Sequence, residues 1–186
     1  MTHQGCGQRD QLERLVELLG GYSSTVLVGR QLEKVTGGEL TPAQLEALVY
    51  IHRHGGCSAK ALSEGLRISI PSSTRLVDRL VRKALVDRRE SGEDRRLVQL
   101  TVTTTGEHAL RLVQEARIDR LQRALEAIPA AERGTLLALL ERLLRAAMCD
   151  EQTVEDCCLH CGTEHDKSCV VNEAHLALVG RPIDRP

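Results

Sequence analysis

The chain has 186 residues, 41% of them hydrophobic and 27% charged, which is the profile of a water-soluble globular protein and excludes a membrane-embedded or disordered class. Aromatic residues make up 1%, with no Phe or Trp, so any core is aliphatic, a composition that suits packed helices. The formal net charge of −1 excludes a uniformly basic nucleic-acid binder, but the charge is unevenly spread. Residues 67–96 hold nine Lys/Arg against five Asp/Glu, and residues 149–169 hold one Lys against six Asp/Glu. The polar start (1–10) carries no leader pattern and no apolar run reaches a membrane span, so the expected location is the cytoplasm.

In chain order, Leu12, Leu15, Val16 and Leu19 recur at helical spacing. Gly20-Gly21 is expected to interrupt or bend this segment, which Val26, Leu27 and Leu32 extend to about residue 35. Thr41-Pro42-Ala43-Gln44 predicts a helix start, with Thr as cap, Pro in the first turn and Gln44 completing a capping box. Leu45, Leu48, Val49 and His52 are its expected inner face. Ser58 caps a short helix bearing Ala61 and Leu62, and Ser69 caps the next, to about residue 84. On that helix Leu76, Leu80 and Ala84 form the expected buried stripe, while Arg75, Arg79, Arg82 and Lys83 lie mostly off it.

Residues 85–89 and 97–102 read as two strands around a turn at Ser91-Gly92-Glu93-Asp94. Three helices followed by a hairpin give a winged helix-turn-helix. Thr103 then caps a long helix to about residue 128, ended by Pro129. A last helix (130–148) carries Leu136, Leu137, Leu139, Leu140, Leu143 and Leu144 on more than one face. Such a helix must be buried on several sides, which implies a homodimer interface. The fold class is therefore mainly α. It divides into an N-terminal dimerisation helix (1–40), a DNA-binding lobe (41–102), C-terminal dimerisation helices (103–148) and a Cys/His-rich tail (149–186). The end of the tail, 181–186, is expected to be loose.

The run from Ser69 through Arg75 and Arg79 to Val86 resembles the recognition helix and following strand of the multiple-antibiotic-resistance-regulator (MarR) family. Asp94-Arg95-Arg96, then Val102-Thr103 and Gly106, resembles that family's wing and its entry into the dimerisation helices. The resemblance spans roughly residues 10–148. It implies a cytoplasmic, non-enzymatic transcriptional regulator, expected to be a repressor, that binds a double-stranded DNA operator with two half-sites. Small hydroxyl side chains at a helix N-terminus permit close approach in the major groove, a role for Ser69, Ser72, Ser73 and Thr74. Arg75 suits a bidentate base contact and Arg79 a phosphate. By the same resemblance Asp94 braces one wing arginine so that Arg95 or Arg96 enters the minor groove. The family often takes small anionic or phenolic effectors; Tyr22, Tyr50, His52 and Arg53 are the residues considered for such a site.

The tail departs from the family. Five of seven Cys fall there: Cys149, Cys157, Cys158, Cys161 and Cys169. Cys158 and Cys161 form C-x-x-C, expected on one tight turn, and Cys149 and Cys169 flank at spacings of eight residues from Cys157 and Cys161. Four thiolates so spaced suit zinc or an iron–sulfur cluster, with His160 or His165 able to replace one thiol. Thiol redox sensing without metal is the alternative, as is a structural zinc tail on an effector-responsive regulator. Cys57 is expected to be a buried packing residue. No nucleophile–base constellation or phosphate loop is present, and the C-x-x-C lacks the βαβ setting of thiol oxidoreductases, so an enzyme is not expected.

Overall fold

The computed structural model describes residues 4–90, 98–160, 166 and 168–183. A near-continuous helical arm opens the chain: α1 (Gln4–Tyr22), a π-helical stretch (Ser23–Arg30) and α2 (Gln31–Thr36). The expected break at Gly20-Gly21 does not occur. Instead Ser24 Oγ donates to the carbonyls of Gly20 (3.1 Å) and Gly21 (3.2 Å), and the widened turn begins there. Side chains that bond back to the preceding turn compete with the regular ladder, a physical reason for the wide stretch. Gly37, at φ +60°, stops the arm in the left-handed conformation.

The lobe follows as α3 (Pro42–Arg53), α4 (Ala59–Gly65), α5 (Ile70–Arg82), β1 (Val86–Glu90) and β2 (Val98–Val102). Its caps are those the sequence predicts. Thr41 Oγ1 accepts from Gln44 N–H (3.3 Å) while Gln44 Oε1 accepts from Thr41 N–H (3.1 Å). Ser58 and Ser69 accept from Ala61 and Ser72 N–H. The strands pair antiparallel, Val86 opposite Val102 and Glu90 opposite Val98. Leu100 N–H also donates to the Cys57 carbonyl at 2.8 Å, which ties the hairpin to the segment before α4.

Two expected faces are corrected. On α3 the buried side is Gln44, Leu45, Ala47, Leu48, Tyr50 and Ile51, and His52 is exposed. On α5 it is Ser73, Val77 and Leu80, with Leu76 half-buried and Ala84 exposed beyond the helix end. The aliphatic core joins these residues to Leu32, Leu62, Leu85, Val86, Leu100 and Val113. Tyr50 is its one aromatic member, and Gly65 lets that ring lie against α4, because a Cβ there would stand 2.1 Å from Tyr50 Cε2.

The long helices α6 (Thr104–Glu126) and α7 (Ala130–Ala147) leave the lobe. The joint is tight. Thr103 Oγ1 accepts from Gly106 N–H and donates to the Ala84 carbonyl at 2.6 Å, and Thr103 N–H donates to the Leu85 carbonyl at 3.0 Å. A Cβ on Gly106 would stand 2.3 Å from that Leu85 oxygen, so only glycine fits between the long helix and the first strand.

The described part of the tail is a pair of helices, α8 (Glu151–His160) and α9 (Val170–Val179), with a small core of Met148, Val154 and Ala174, and the expected loose end is corrected for residues 181–183. Asp150 starts α8 by accepting from Thr153 N–H and Thr153 Oγ1, both at 2.8 Å. Those bonds, the backbone one first, hold its carboxyl below the usual range. Near the C-terminus Ile183 N–H donates to Asn172 Oδ1 at 2.8 Å and the Arg181 carbonyl meets His175 Nδ1 at 2.8 Å, so the chain is pinned through Ile183. Arg145 on α7 pairs with Glu173 on α9 at 2.6 Å. Among the described residues no helix is long and apolar enough to cross a membrane.

Candidate nucleic-acid interface

The helix α5 packs one side into the core and turns the other to solvent. Ser69, in extended conformation, caps it, and its Oγ lies 2.9 Å from Ser72 Oγ. Pro71 sits in the first turn, which holds no acidic residue, so the positive end of the helix dipole is unopposed. Ser72, Thr74, Arg75 and Arg79 are exposed on this outer side. Thr74 Oγ1 donates to the Ile70 carbonyl at 3.0 Å.

Ser73 is different. It is fully buried, and its hydroxyl donates to the Ala59 carbonyl of α4 at 2.9 Å. Its expected place on the DNA-facing side is therefore corrected. A small polar residue at this point lets α4 and α5 approach and satisfies a buried carbonyl.

The wing strand is bound to this helix by a pair that sequence reading missed: Arg88 Nη2 lies 2.5 Å from Asp78 Oδ1. Asp94, Arg95 and Arg96, the expected wing contacts, lie outside the described residues.

The effector candidates do not gather. Tyr22 lies on the arm, where its hydroxyl meets Arg120 Nε at 3.4 Å; Tyr50 donates to the Ala61 carbonyl; His52 is exposed; Arg53 donates to the carbonyl of Cys158. A cavity of about 420 Å³ does lie between the lobe and the tail, bordered by Tyr50, Arg67, Glu151, Asp156, His175 and Arg181.

Of the tail thiols, Cys149 and Cys157 are exposed and Cys158 is buried. Cys157 and Cys158 belong to the last turn of α8, and the other end of the expected C-x-x-C turn, Cys161, lies outside the described residues. Cys169 caps α9, its Sγ accepting from Asn172 N–H at 3.3 Å. Cys161 and His165, with the side chain of His160, lie outside the described residues. Among the described residues no group of three His, Cys, Asp or Glu side chains forms a metal cradle. Burial pushes the Cys57 thiol up to about 11, which keeps it neutral, in accord with a packing role.

The flanking helices carry the exposed apolar surface. Leu12, Leu15, Val16, Leu18 and Leu19 stand out from α1, with Leu18 68% exposed. Leu137, Leu139, Leu140, Leu143 and Leu144 do so on α7, which has no residue buried within its own chain. Exposed apolar ridges of this kind mark a surface for a partner.

Comparison with known proteins agrees with this architecture. Residues 39–97 match the sequence model of the MarR family. The HTH-type transcriptional repressor MdtR of Bacillus subtilis is 28% identical over 121 residues, 65% of this chain and 78% of that protein. The crystal structure of RV1404 from Mycobacterium tuberculosis superposes with a TM-score of 0.63 at 26% identity, covering 79% of this chain and 96% of that one. A mutant of MepR from S. aureus, bound to an oligodeoxyribonucleotide, shares the fold with a TM-score of 0.55 at 19% identity, over 75% of this chain and 97% of that one.

Proposed function

The chain belongs to the MarR family of transcriptional regulators, and on that premise we propose that it is a homodimeric repressor that reads an operator of two half-sites. One observation carries the reading: α5 buries Ser73, Val77 and Leu80 and presents Ser69, Ser72, Thr74, Arg75 and Arg79 together on the opposite side. Arg75 takes a base edge, Arg79 a phosphate, and Arg95 or Arg96, steadied by Asp94, the minor groove beside it. The sense of regulation follows the repressor MdtR, and the DNA ligand follows the bound MepR mutant. Selection of duplexes from a random library tests this. Enriched sites should contain two inverted half-sites about one helical turn, roughly 10 base pairs, centre to centre, bound by two chains. Enrichment of single half-sites bound by one chain, or none, would overturn it.

The tail carries the sensing part of the proposal. Its five thiols, Cys149, Cys157, Cys158, Cys161 and Cys169, have the spacing of a metal centre. The described ones do not gather around a common point, so no step is routed through a metal here. Support for sensing comes from placement, since the exposed Cys149 directly follows α7 and Cys157 lies on the helix docked to the lobe. Metal and sulfide analysis of chain purified without oxygen separates the readings. Stoichiometric zinc, or iron with sulfide, establishes a centre completed by Cys161, His160 or His165; the absence of both leaves the thiols themselves as sensors.

A further inference from the structure

Arg67 occupies the turn between α4 and α5, two residues before the Ser69 cap. It holds a left-handed backbone (φ +52°), and its side chain is 65% exposed. Backbone bonds fix the turn: Arg67 N–H donates to the Glu64 carbonyl at 3.1 Å and Ile68 N–H to the Ser63 carbonyl at 3.0 Å. A helix whose N-terminus enters the major groove has phosphates passing on either side of its first turn. A long cation anchored two residues upstream is within reach of that backbone.

In this structure the cation is directed to the chain's own tail. Arg67 Nη2 lies 2.7 Å from both Oδ1 and Oδ2 of Asp156 on α8. Gln152 Nε2 steadies the same carboxylate at 3.2 Å, and Arg53 Nη1 holds α8 to the lobe through the Cys158 carbonyl at 2.9 Å. Glu151 and Glu155 on α8 line the same cavity as Arg67, so the tail presents an acidic helix to this cation. The pair is partly exposed, with Asp156 at 34%, so water and salt weaken it and a competing anion is able to displace it.

We propose that Arg67 is a phosphate-contact residue of the DNA-reading surface, and that Asp156 competes with DNA for it, which makes the tail a built-in electrostatic brake on binding. The proposal rests on the DNA-binding reading above. It also gives that tail a route to the operator: whatever loosens α8, thiol chemistry at Cys157 included, returns one cation per subunit to the DNA-facing side.

The test is the affinity of the full-length chain for an about 30-base-pair random-sequence duplex across a salt series, because phosphate contacts are sequence-independent. Asp156→Asn should tighten binding roughly 3- to 10-fold at low salt. It should also steepen the dependence of log K on log salt by about 0.9 per subunit, the signature of one added phosphate contact. Arg67→Ala should remove that gain, so that Arg67→Ala with Asp156→Asn matches Arg67→Ala alone. Circular dichroism and sedimentation establish that each variant retains fold and assembly state. Unchanged affinity and slope in Asp156→Asn overturn the proposal. So does an equal gain in the double variant, which would mean that any lost negative charge suffices. A wild-type chain with no salt-dependent affinity for duplex DNA overturns the DNA-binding reading itself, and this inference with it.

Discussion

A chain carrying Leu137→Glu and Leu140→Glu is expected to sediment as a folded monomer. Neither side chain is buried in its own subunit, at 54% and 38% exposed, so the aliphatic core around Leu48, Ile51 and Val77 is untouched and the circular dichroism should be unchanged. In the proposed dimer both positions would lie in an apolar contact, where an ionised carboxylate without a partner costs several kcal/mol. Two-fold symmetry counts each substitution twice. A weakening of the dimer by at least about 1000-fold, on the order of 4 kcal/mol, follows. Operator affinity should collapse with it, because a single subunit engages one half-site. A variant that still sediments as a dimer at micromolar concentration would place the interface elsewhere.

The second large effect belongs to Arg75. It is exposed near the start of α5, on the side opposite Val77 and Leu80. A bidentate arginine–guanine contact discriminates by about 1–3 kcal/mol, and the proposed dimer would make it twice, so Arg75→Ala should cost about 2–6 kcal/mol, at least roughly 30-fold, in affinity for the selected operator. Preference at the contacted base should relax in a repeat of the selection. Ser73→Ala serves as the contrast. It removes the bond to the Ala59 carbonyl, so its effect should appear as about 1 kcal/mol in urea unfolding rather than as altered base preference. Equal base preferences in Arg75→Ala and the wild type would remove Arg75 from direct readout.

Much of the lobe was legible because its signals are local. Thr41 and Gln44, Ser58, Ser69 and Thr103 each act on a backbone group three residues away, and the sequence displays both partners of such a bond. The exact buried face of α5 was less legible. Ser73 is polar by composition and yet fully buried, because the neighbouring α4 offers a carbonyl that only the fold reveals. The π-helical stretch escaped for a related reason: two adjacent glycines suggest a break, while the decisive group is the hydroxyl of Ser24 behind them. The docking of the tail had no local sign at all. Arg67 and Asp156 are 89 residues apart, and nothing near either names the other. The wing arginines and Cys161 depend on residues 91–97 and 161–165, outside the described structure.

The lobe is tied to the long helices at several places: its core runs on into Val113 of α6, Gly106 of α6 meets the Leu85 carbonyl, and Arg53 and Arg67 clasp the tail, which Arg145 and Glu173 fasten to α7. The first two ties are buried and hold in salt; the clasp is polar and partly exposed, so it is the one that opens first. On the proposed reading, opening it removes a brace as well as a charge, and tolerance for operators of unequal half-site distance widens when the tail lets go.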